Sequence, residues 1–132
     1  MNKRKLLFLS TDDAANRSIQ PLLLKKGLNV LFFRDLSDLM KELMDSKDSL
    51  VFIDIDTVAI GNRDLKVLKT SFPESNLFCI SKVPFHPEIK EAISKYIFAC
   101  MVKPLDLEEL MFWVGSLEST TTSIGLPGKD FP

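Results

Sequence analysis

The sequence predicts an α/β fold built on one parallel β-sheet. Five short apolar runs are continuous rather than alternating, which is typical of strands buried on both faces. Stretches with helical spacing of apolar residues separate these runs, so strand and helix alternate five times along the chain. The 132 residues, 45% of them hydrophobic and 27% charged, are enough for one domain with one core.

The apolar runs predict the five strands in chain order. They cover residues 6–9, 30–33, 50–55, 77–80 and 97–102. None approaches the roughly 20 apolar residues that span a bilayer. The first run is also shorter than the roughly 7–15 apolar residues of a signal peptide. We therefore expect a cytoplasmic protein.

The stretches between the strands predict five helices, each with one apolar face and a defined end. Gly27 is expected to end the first helix, and Pro21 to kink it or delay its start. Ser37 is expected to cap the second helix. The inward-facing side chains should be Ala15, Ile19, Leu22, Leu23 and Lys26; Leu39, Met40, Leu43 and Met44; Leu65, Leu68 and Phe72; Ile89, Ile93 and Tyr96; and Leu110, Trp113, Val114 and Leu117.

The last three helices also have sequence signals at their ends. Pro73 should stop the third helix, and Pro87 should open the fourth from a first-turn position. Asp106 and Glu109 have the spacing of a capping box at the start of the fifth helix. The predicted domain therefore ends with a well-defined helix, near residue 118.

Polar side chains follow the strands where ligand sites form in doubly wound sheets, beyond the carboxyl ends. They are Ser10, Thr11, Asp12 and Asp13 after the first strand, Asp54 and Asp56 after the third, Ser81 after the fourth, and Lys103 after the fifth. An aspartate can attack a phosphoryl group, and carboxylates with a backbone carbonyl can hold a divalent ion. A hydroxyl and a lysine can bind phosphoryl oxygens.

The segments KLLFLSTDD, LVFIDID, LFCIS and MVKPLDLEEL resemble the receiver domains of two-component response regulators, over about residues 5–118. The resemblance implies a flavodoxin-like fold with the strand order 2-1-3-4-5. It implies that Asp54 accepts phosphate from a histidine kinase, that Ser81 and Lys103 bind the phosphoryl group, and that the Lys103–Pro104 bond is cis. It also implies Mg²⁺, for which the candidate ligands are Asp12, Asp13, Asp54 and the backbone carbonyl of Asp56.

The sequence departs from the receiver pattern at several positions. An ungapped match puts Ser10 and Thr11 at the family's acidic pair, and only a local slip brings Asp12 and Asp13 there. Capping of the first helix is an equally good interpretation of these two aspartates. The loop after Asp54 lacks the usual Met-Pro. The aromatic switch position holds Cys100, and the small residue that normally precedes the fifth strand is replaced by Tyr96.

Three functions follow from these patterns. The first is a receiver phosphorylated on Asp54, which switches a helix 4–strand 5–helix 5 surface; it acts with a histidine kinase or phosphotransfer protein and forms a homodimer through that surface. The second is a degenerate receiver that is not phosphorylated and serves as a dimerisation or docking module. The third is a flavodoxin-like cofactor-binding protein. In the first two cases the chain is a signalling domain, with at most self-catalysed phosphotransfer and dephosphorylation.

Other residues have less specific interpretations. Cys79 and Cys100 lie in apolar runs and are predicted to be buried free thiols. His86 is expected in a solvated loop or at the N-terminus of the fourth helix, and the Asp56 side chain is expected to face solvent. The net charge of −1 predicts no direct nucleic-acid contact. Residues 119–132 are polar and contain Gly and Pro, which predicts a linker towards an output domain.

Overall fold

The computed structural model describes residues 4–84 and 86–119 and confirms the predicted α/β architecture. One five-stranded parallel sheet has the order β2-β1-β3-β4-β5. The strands are β1 (Lys5–Leu9), β2 (Val30–Phe33), β3 (Ser49–Asp54), β4 (Asn76–Ser81) and β5 (Ala99–Val102). The α-helices are α1 (Asp13–Lys25), α2 (Leu36–Asp45), α3 (Asn62–Ser71), α4 (Lys90–Tyr96) and α5 (Leu107–Ser119).

Two apolar clusters, one on each face of the sheet, make up the core. On one face, Phe8, Phe52 and Phe78 stack across three neighbouring strands with ring centroids 4.8 and 4.7 Å apart. Helices α1 and α5 cover these rings, and α2, α3 and α4 cover the other face. Because both faces are covered, the inner strands are apolar throughout, as the continuous runs predicted.

Helix α1 differs from its prediction on the inward face. The helix begins at Asp13 and continues through Pro21, so its start is not delayed. Gly27 has φ 78° and follows the C-cap, as expected for a glycine that ends a helix. Only Leu23 of its predicted inward residues is buried, whereas Leu22 is 44% exposed. The inward face is therefore narrower than the apolar spacing suggested.

Several predictions about helix ends and faces are also corrected. Asp35, rather than Ser37, caps α2, because its carboxylate accepts a hydrogen bond from the Asp38 backbone N–H at 2.8 Å. Met44 is 66% exposed, since α2 packs on the sheet through other residues. A 3₁₀ turn over Pro87–Ile89 precedes α4. Strand β5 begins at Ala99, two residues later than predicted.

The structure also tests the predicted cap of α5 and the predictions for Cys79, Cys100 and His86. The Asp106 carboxylate accepts hydrogen bonds from the Glu108 and Glu109 backbone N–H groups, as the predicted N-cap residue should. The carboxylate of Glu109, the other predicted capping-box residue, accepts a hydrogen bond from the Trp113 indole at 3.4 Å. Cys79 is buried, but Cys100, on the edge strand β5, is exposed. The His86 side chain is only 10% exposed, so the expected solvated loop is wrong, but His86 is the N-cap residue of the 3₁₀ turn before α4, as the alternative of an N-terminal role predicted.

Helix α5 ends at Ser119, one residue beyond the predicted domain boundary. The predicted linker over residues 120–132 lies outside the described residues. No helix in the described ranges is long and apolar enough to cross a membrane.

Candidate functional site

The carboxyl edge of the sheet brings together four predicted side chains from four neighbouring strands. Asp54 and Ser81 end β3 and β4, while Ser10 and Lys103 directly follow β1 and β5. These ends meet because β1, β3, β4 and β5 are adjacent and parallel. The Lys103–Pro104 peptide bond is cis, as the resemblance implied.

Asp54 is held by three hydrogen-bond donors from different elements. Its Oδ2 accepts from the Ser10 hydroxyl at 2.8 Å, and its Oδ1 accepts from Lys103 Nζ at 2.8 Å. The Asp56 backbone N–H also donates to Oδ1, at 3.1 Å. The Asp54 side chain is only 5% exposed. Its charge is therefore compensated within the protein.

Asp56 also faces into the site, which corrects the prediction that its side chain faces solvent. The Ser81 hydroxyl donates to its Oδ1 at 2.8 Å, and the Lys82 backbone N–H donates to its Oδ2 at 2.8 Å. Lys103 Nζ lies 3.3 Å from the same Oδ2. The tight turn after β3, in which the backbone N–H groups of Thr57 and Val58 donate to the Asp54 carbonyl, positions Asp56 for these contacts.

Lys103 lies between the carboxylates of Asp54 and Asp56, within 2.8 Å of the first and 3.3 Å of the second. Burial opposes its charge, but the hydrogen bonds and charges of Asp54 and Asp56 outweigh this and raise the pKa of Lys103. Burial likewise opposes ionisation of Asp56, yet hydrogen bonds from Lys82, Ser81 and Lys103 lower the pKa of Asp56. The pocket therefore favours the ionised forms of Asp56 and Lys103 at neutral pH.

The two hydroxyl residues that follow β1, Ser10 and Thr11, make hydrogen bonds at the carboxyl edge of the sheet. The Ser10 hydroxyl, which donates to Asp54, also accepts a hydrogen bond from the Asp12 backbone N–H at 3.1 Å. The Thr11 backbone N–H donates to the Thr57 hydroxyl at 3.1 Å. Neither hydroxyl brings the negative charge that a divalent ion needs.

The candidate metal ligands do not form one cluster. Asp12 lines the same cleft as Asp54, but its carboxylate caps α1 by accepting from the Ala15 backbone N–H at 3.1 Å. The Asp13 carboxylate pairs with Arg34 on an exposed surface. Within residues 4–84 and 86–119, no three His, Cys, Asp or Glu side chains are grouped so that they could hold a metal ion. This donor set does not fit Mg²⁺.

A cleft of about 530 Å³ opens beside Asp54. Its apolar walls come from α1 and from the segment that joins β5 to α5, namely Ala15, Ile19, Leu22, Pro104, Leu105 and Leu107. Asp54 and Lys103 form part of its polar end. Sequence reasoning missed this cleft because it placed Leu22 in the core.

Comparisons with solved structures identify the fold. A signal receiver domain of an HD domain-containing protein from Pseudomonas fluorescens Pf-5 is 19% identical, with a TM-score of 0.78; 91% of this chain and 90% of that chain are covered. A receiver domain from Saccharomyces cerevisiae, solved with a histidine phosphotransfer signalling protein, is 9% identical, with a TM-score of 0.75 and 94% of both chains covered.

A third solved structure is the beryllofluoride-activated receiver domain dimer of NtrC4, at 16% identity and a TM-score of 0.74; 89% of this chain and 98% of that chain are covered. No protein-family model matches the sequence, and no curated protein matches it. The chain thus has the fold of response regulator receiver domains.

Proposed function

We propose that this chain is a receiver-type signalling domain that acts by protein docking, with its phosphoryl pocket filled by its own Asp56 carboxylate. One observation carries the proposal. The Ser81 hydroxyl, the Lys82 backbone N–H and Lys103 Nζ converge on Asp56. A hydroxyl, a backbone N–H and an ammonium group are also suitable donors for phosphoryl oxygens.

The charge balance of the pocket supports this proposal. Asp54 and Asp56 share one ammonium group, that of Lys103. A phosphoryl group on Asp54 would add about −1.5 to −2 charges at neutral pH. The Ser10 and Thr11 hydroxyls are neutral, and the Asp12 carboxylate caps α1. These residues therefore do not form a site for a divalent ion that would offset the added charge. Phosphorylation would therefore need Asp56 to leave the pocket.

The apolar cleft supports a docking role. Leu22 is 44% exposed on α1 and faces Leu105 and Leu107 across the cleft. An exposed apolar surface beside polar groups is typical of protein interaction sites. The proposed partner is a cytoplasmic histidine kinase or phosphotransfer protein, in line with the Saccharomyces cerevisiae receiver solved with a phosphotransfer protein.

A second candidate function is phosphoryl acceptance on Asp54. The contact between Lys103 Nζ and Asp54 Oδ1, at 2.8 Å, favours it, because this lysine could follow an attached phosphoryl group. In that case Asp56 would swing out and Asp12 would give up its capping bond to approach a divalent ion.

Thermal melts with Mg²⁺ and beryllofluoride distinguish the two functions. A ligand that binds only the folded state raises the melting temperature by mass action. We expect no rise in the wild type, in Asp54→Ala or in the more conservative Asp54→Asn. A rise in the wild type that disappears in both variants would overturn the filled-pocket proposal and support phosphorylation of Asp54.

A further inference from the structure

Two cysteines lie opposite each other on the last two strands of the sheet. Cys79 of β4 and Cys100 of β5 are register partners, so their side chains emerge on the same face. Neighbouring strands lie about 4.8 Å apart. This spacing falls within the roughly 4.4–6.8 Å between Cα atoms that a disulfide requires. The backbone can therefore accommodate a bond between them.

The surroundings of the two thiols differ. Cys100 is exposed, whereas Cys79 is 1% exposed and lies between β4 and the helical layer. Helix α4 has only seven residues, and edge-strand residues on either side, Phe98 and Val102, are 47% and 46% exposed. A soluble oxidant can therefore reach Cys100 directly, but it reaches Cys79 only through its neighbour.

The electrostatics favour reaction at Cys100. The Cys79 thiol donates a hydrogen bond to the Cys100 sulfur, and with a smaller contribution from the nearby His86 imidazole this lowers the pKa of Cys100 from 9.0 to about 7, although burial opposes the shift. The lowered pKa of Cys100 favours its thiolate, and the thiolate is the nucleophile. The same hydrogen bond, together with burial, raises the pKa of Cys79.

We propose that Cys100 and Cys79 form an oxidant-responsive pair, in which a hydroperoxide oxidises Cys100 and Cys79 then closes a disulfide between β4 and β5. In the first step the Cys100 thiolate attacks the peroxide, the O–O bond breaks, and Cys100 becomes a sulfenic acid as water or an alcohol leaves. In the second step the Cys79 sulfur attacks the Cys100 sulfur, and the hydroxyl group leaves as water with the Cys79 proton.

The disulfide would covalently join the edge strand to the interior of the sheet. Strand β5 lies in the surface that carries the exposed Phe98 and Val102, and His86 lies close to Cys100 in the loop before α4. Oxidation would thus alter a surface on the opposite side of β4 from Asp54. This inference is independent of whether Asp54 is phosphorylated.

The test oxidises the full chain with hydrogen peroxide under native conditions and measures its intact mass. We expect the wild type to lose two hydrogens, and peptide mapping to show Cys79 linked to Cys100 within one chain. Cys100→Ser should not react at the same dose. Cys79→Ala should stop at a sulfenic acid that dimedone traps.

Alkylation of the folded wild type gives a second measurement that does not depend on how the variants fold. Iodoacetamide should label Cys100 and leave Cys79 unlabelled. Labelling of Cys79 in preference to Cys100 would overturn the proposal. So would disulfides formed only between chains, or a wild type that stays reduced at peroxide doses that oxidise a control thiol such as glutathione.

Discussion

At the scale of single residues, Ser10 decides which chemistry the carboxyl edge of the sheet can perform. Its hydroxyl donates to Asp54 and occupies a position where receivers carry a carboxylate. A neutral donor at this place holds the Asp54 charge without a metal ion. With an aspartate in its place, two carboxylates would face each other and would need a cation between them.

We therefore predict that Ser10→Asp/Thr11→Asp creates a Mg²⁺ site. Without metal, repulsion between the new carboxylates and Asp54 should lower the melting temperature. Millimolar Mg²⁺ should restore it, because the ion binds the folded state. Thermal melts with and without Mg²⁺ measure both effects. Ser10→Ala/Thr11→Ala is the control and should not respond; a Mg²⁺ response in the control or in the wild type would contradict the prediction.

Asp56 is the residue whose charge most affects the pocket. Asp56→Asn keeps an acceptor for Ser81 but removes the ionic contact with Lys103. Loss of a hydrogen bond to a charged group costs about 1.5–3 kcal/mol, so we expect a decrease of that order in the free energy of unfolding near pH 7. Urea denaturation measures it. Asp45→Asn, at an exposed position of α2, is the matched control and should change stability little.

The difference between wild type and Asp56→Asn should depend on pH. Because the pKa of Asp56 is lowered on folding, its stabilisation is complete above its ordinary value of 3.8 and is lost as the pH falls through its folded-state value. We expect the two unfolding free energies to converge between about pH 5 and pH 2. A difference that stayed constant down to the acid limit would show that the Asp56 charge does not stabilise the fold.

At the scale of elements, two consecutive residues of α1 have different roles, one in the packed core and one in the proposed docking cleft. Leu23 is fully buried beneath the helix, while Leu22 is 44% exposed in the wall of the cleft. Both are leucines in the same helix, so they have the same helix propensity and differ only in their surroundings. The two positions provide a matched pair of variants.

We expect Leu23→Ala to lower the free energy of unfolding by about 2–5 kcal/mol, the cost of a cavity in a packed core. Leu22→Ala should change it by no more than about 0.5 kcal/mol. Chemical denaturation of both variants measures the difference. In a binding assay with a histidine phosphotransfer protein that binds the wild type, Leu22→Ala should weaken the complex. Equal stability losses would contradict the burial difference between the two positions.

At the scale of the whole molecule, exposed apolar side chains along β5 and α5 form a surface suited to a second copy of the chain. Phe98, Val102 and Phe112 are 47%, 46% and 62% exposed. The homodimer expected from the sequence uses the helix 4–strand 5–helix 5 surface, to which these side chains belong. Contiguous exposed apolar area of this kind favours association.

We predict that the chain self-associates and that Val102→Asp/Phe112→Ser makes it monomeric. A buried aspartate without a partner would oppose dimer formation, whereas the fold of each copy should be retained because both positions face outward. Sedimentation equilibrium over a range of concentrations measures the association. The exposed Met44→Ser on α2 is the control and should leave it unchanged. A wild type that is monomeric at high concentration would contradict the prediction.

Much of the molecule was predictable from the sequence because its signals are local. Continuous apolar runs identified five strands buried on both faces, and the polar residues at the strand ends identified Asp54, Ser81 and Lys103 as residues that meet at the carboxyl edge. Gly27 and Pro73 marked helix ends, Gly27 because glycine adopts its φ of 78° without strain and Pro73 because proline cannot continue a helix. The periodicity of apolar residues and the backbone preferences of glycine and proline act over a few residues, so both can be recognised directly in the sequence.

The tertiary structure decided how the polar groups are paired and which apolar groups remain exposed. Asp56 turns towards Ser81 and Lys103, and Asp12 caps its helix, because donors brought from other strands compete for each carboxylate. Cys100 lies exposed opposite the buried Cys79 because β5 is the edge strand of the sheet. Such outcomes depend on groups that are distant in the sequence and adjacent only after folding, so no local pattern contains them.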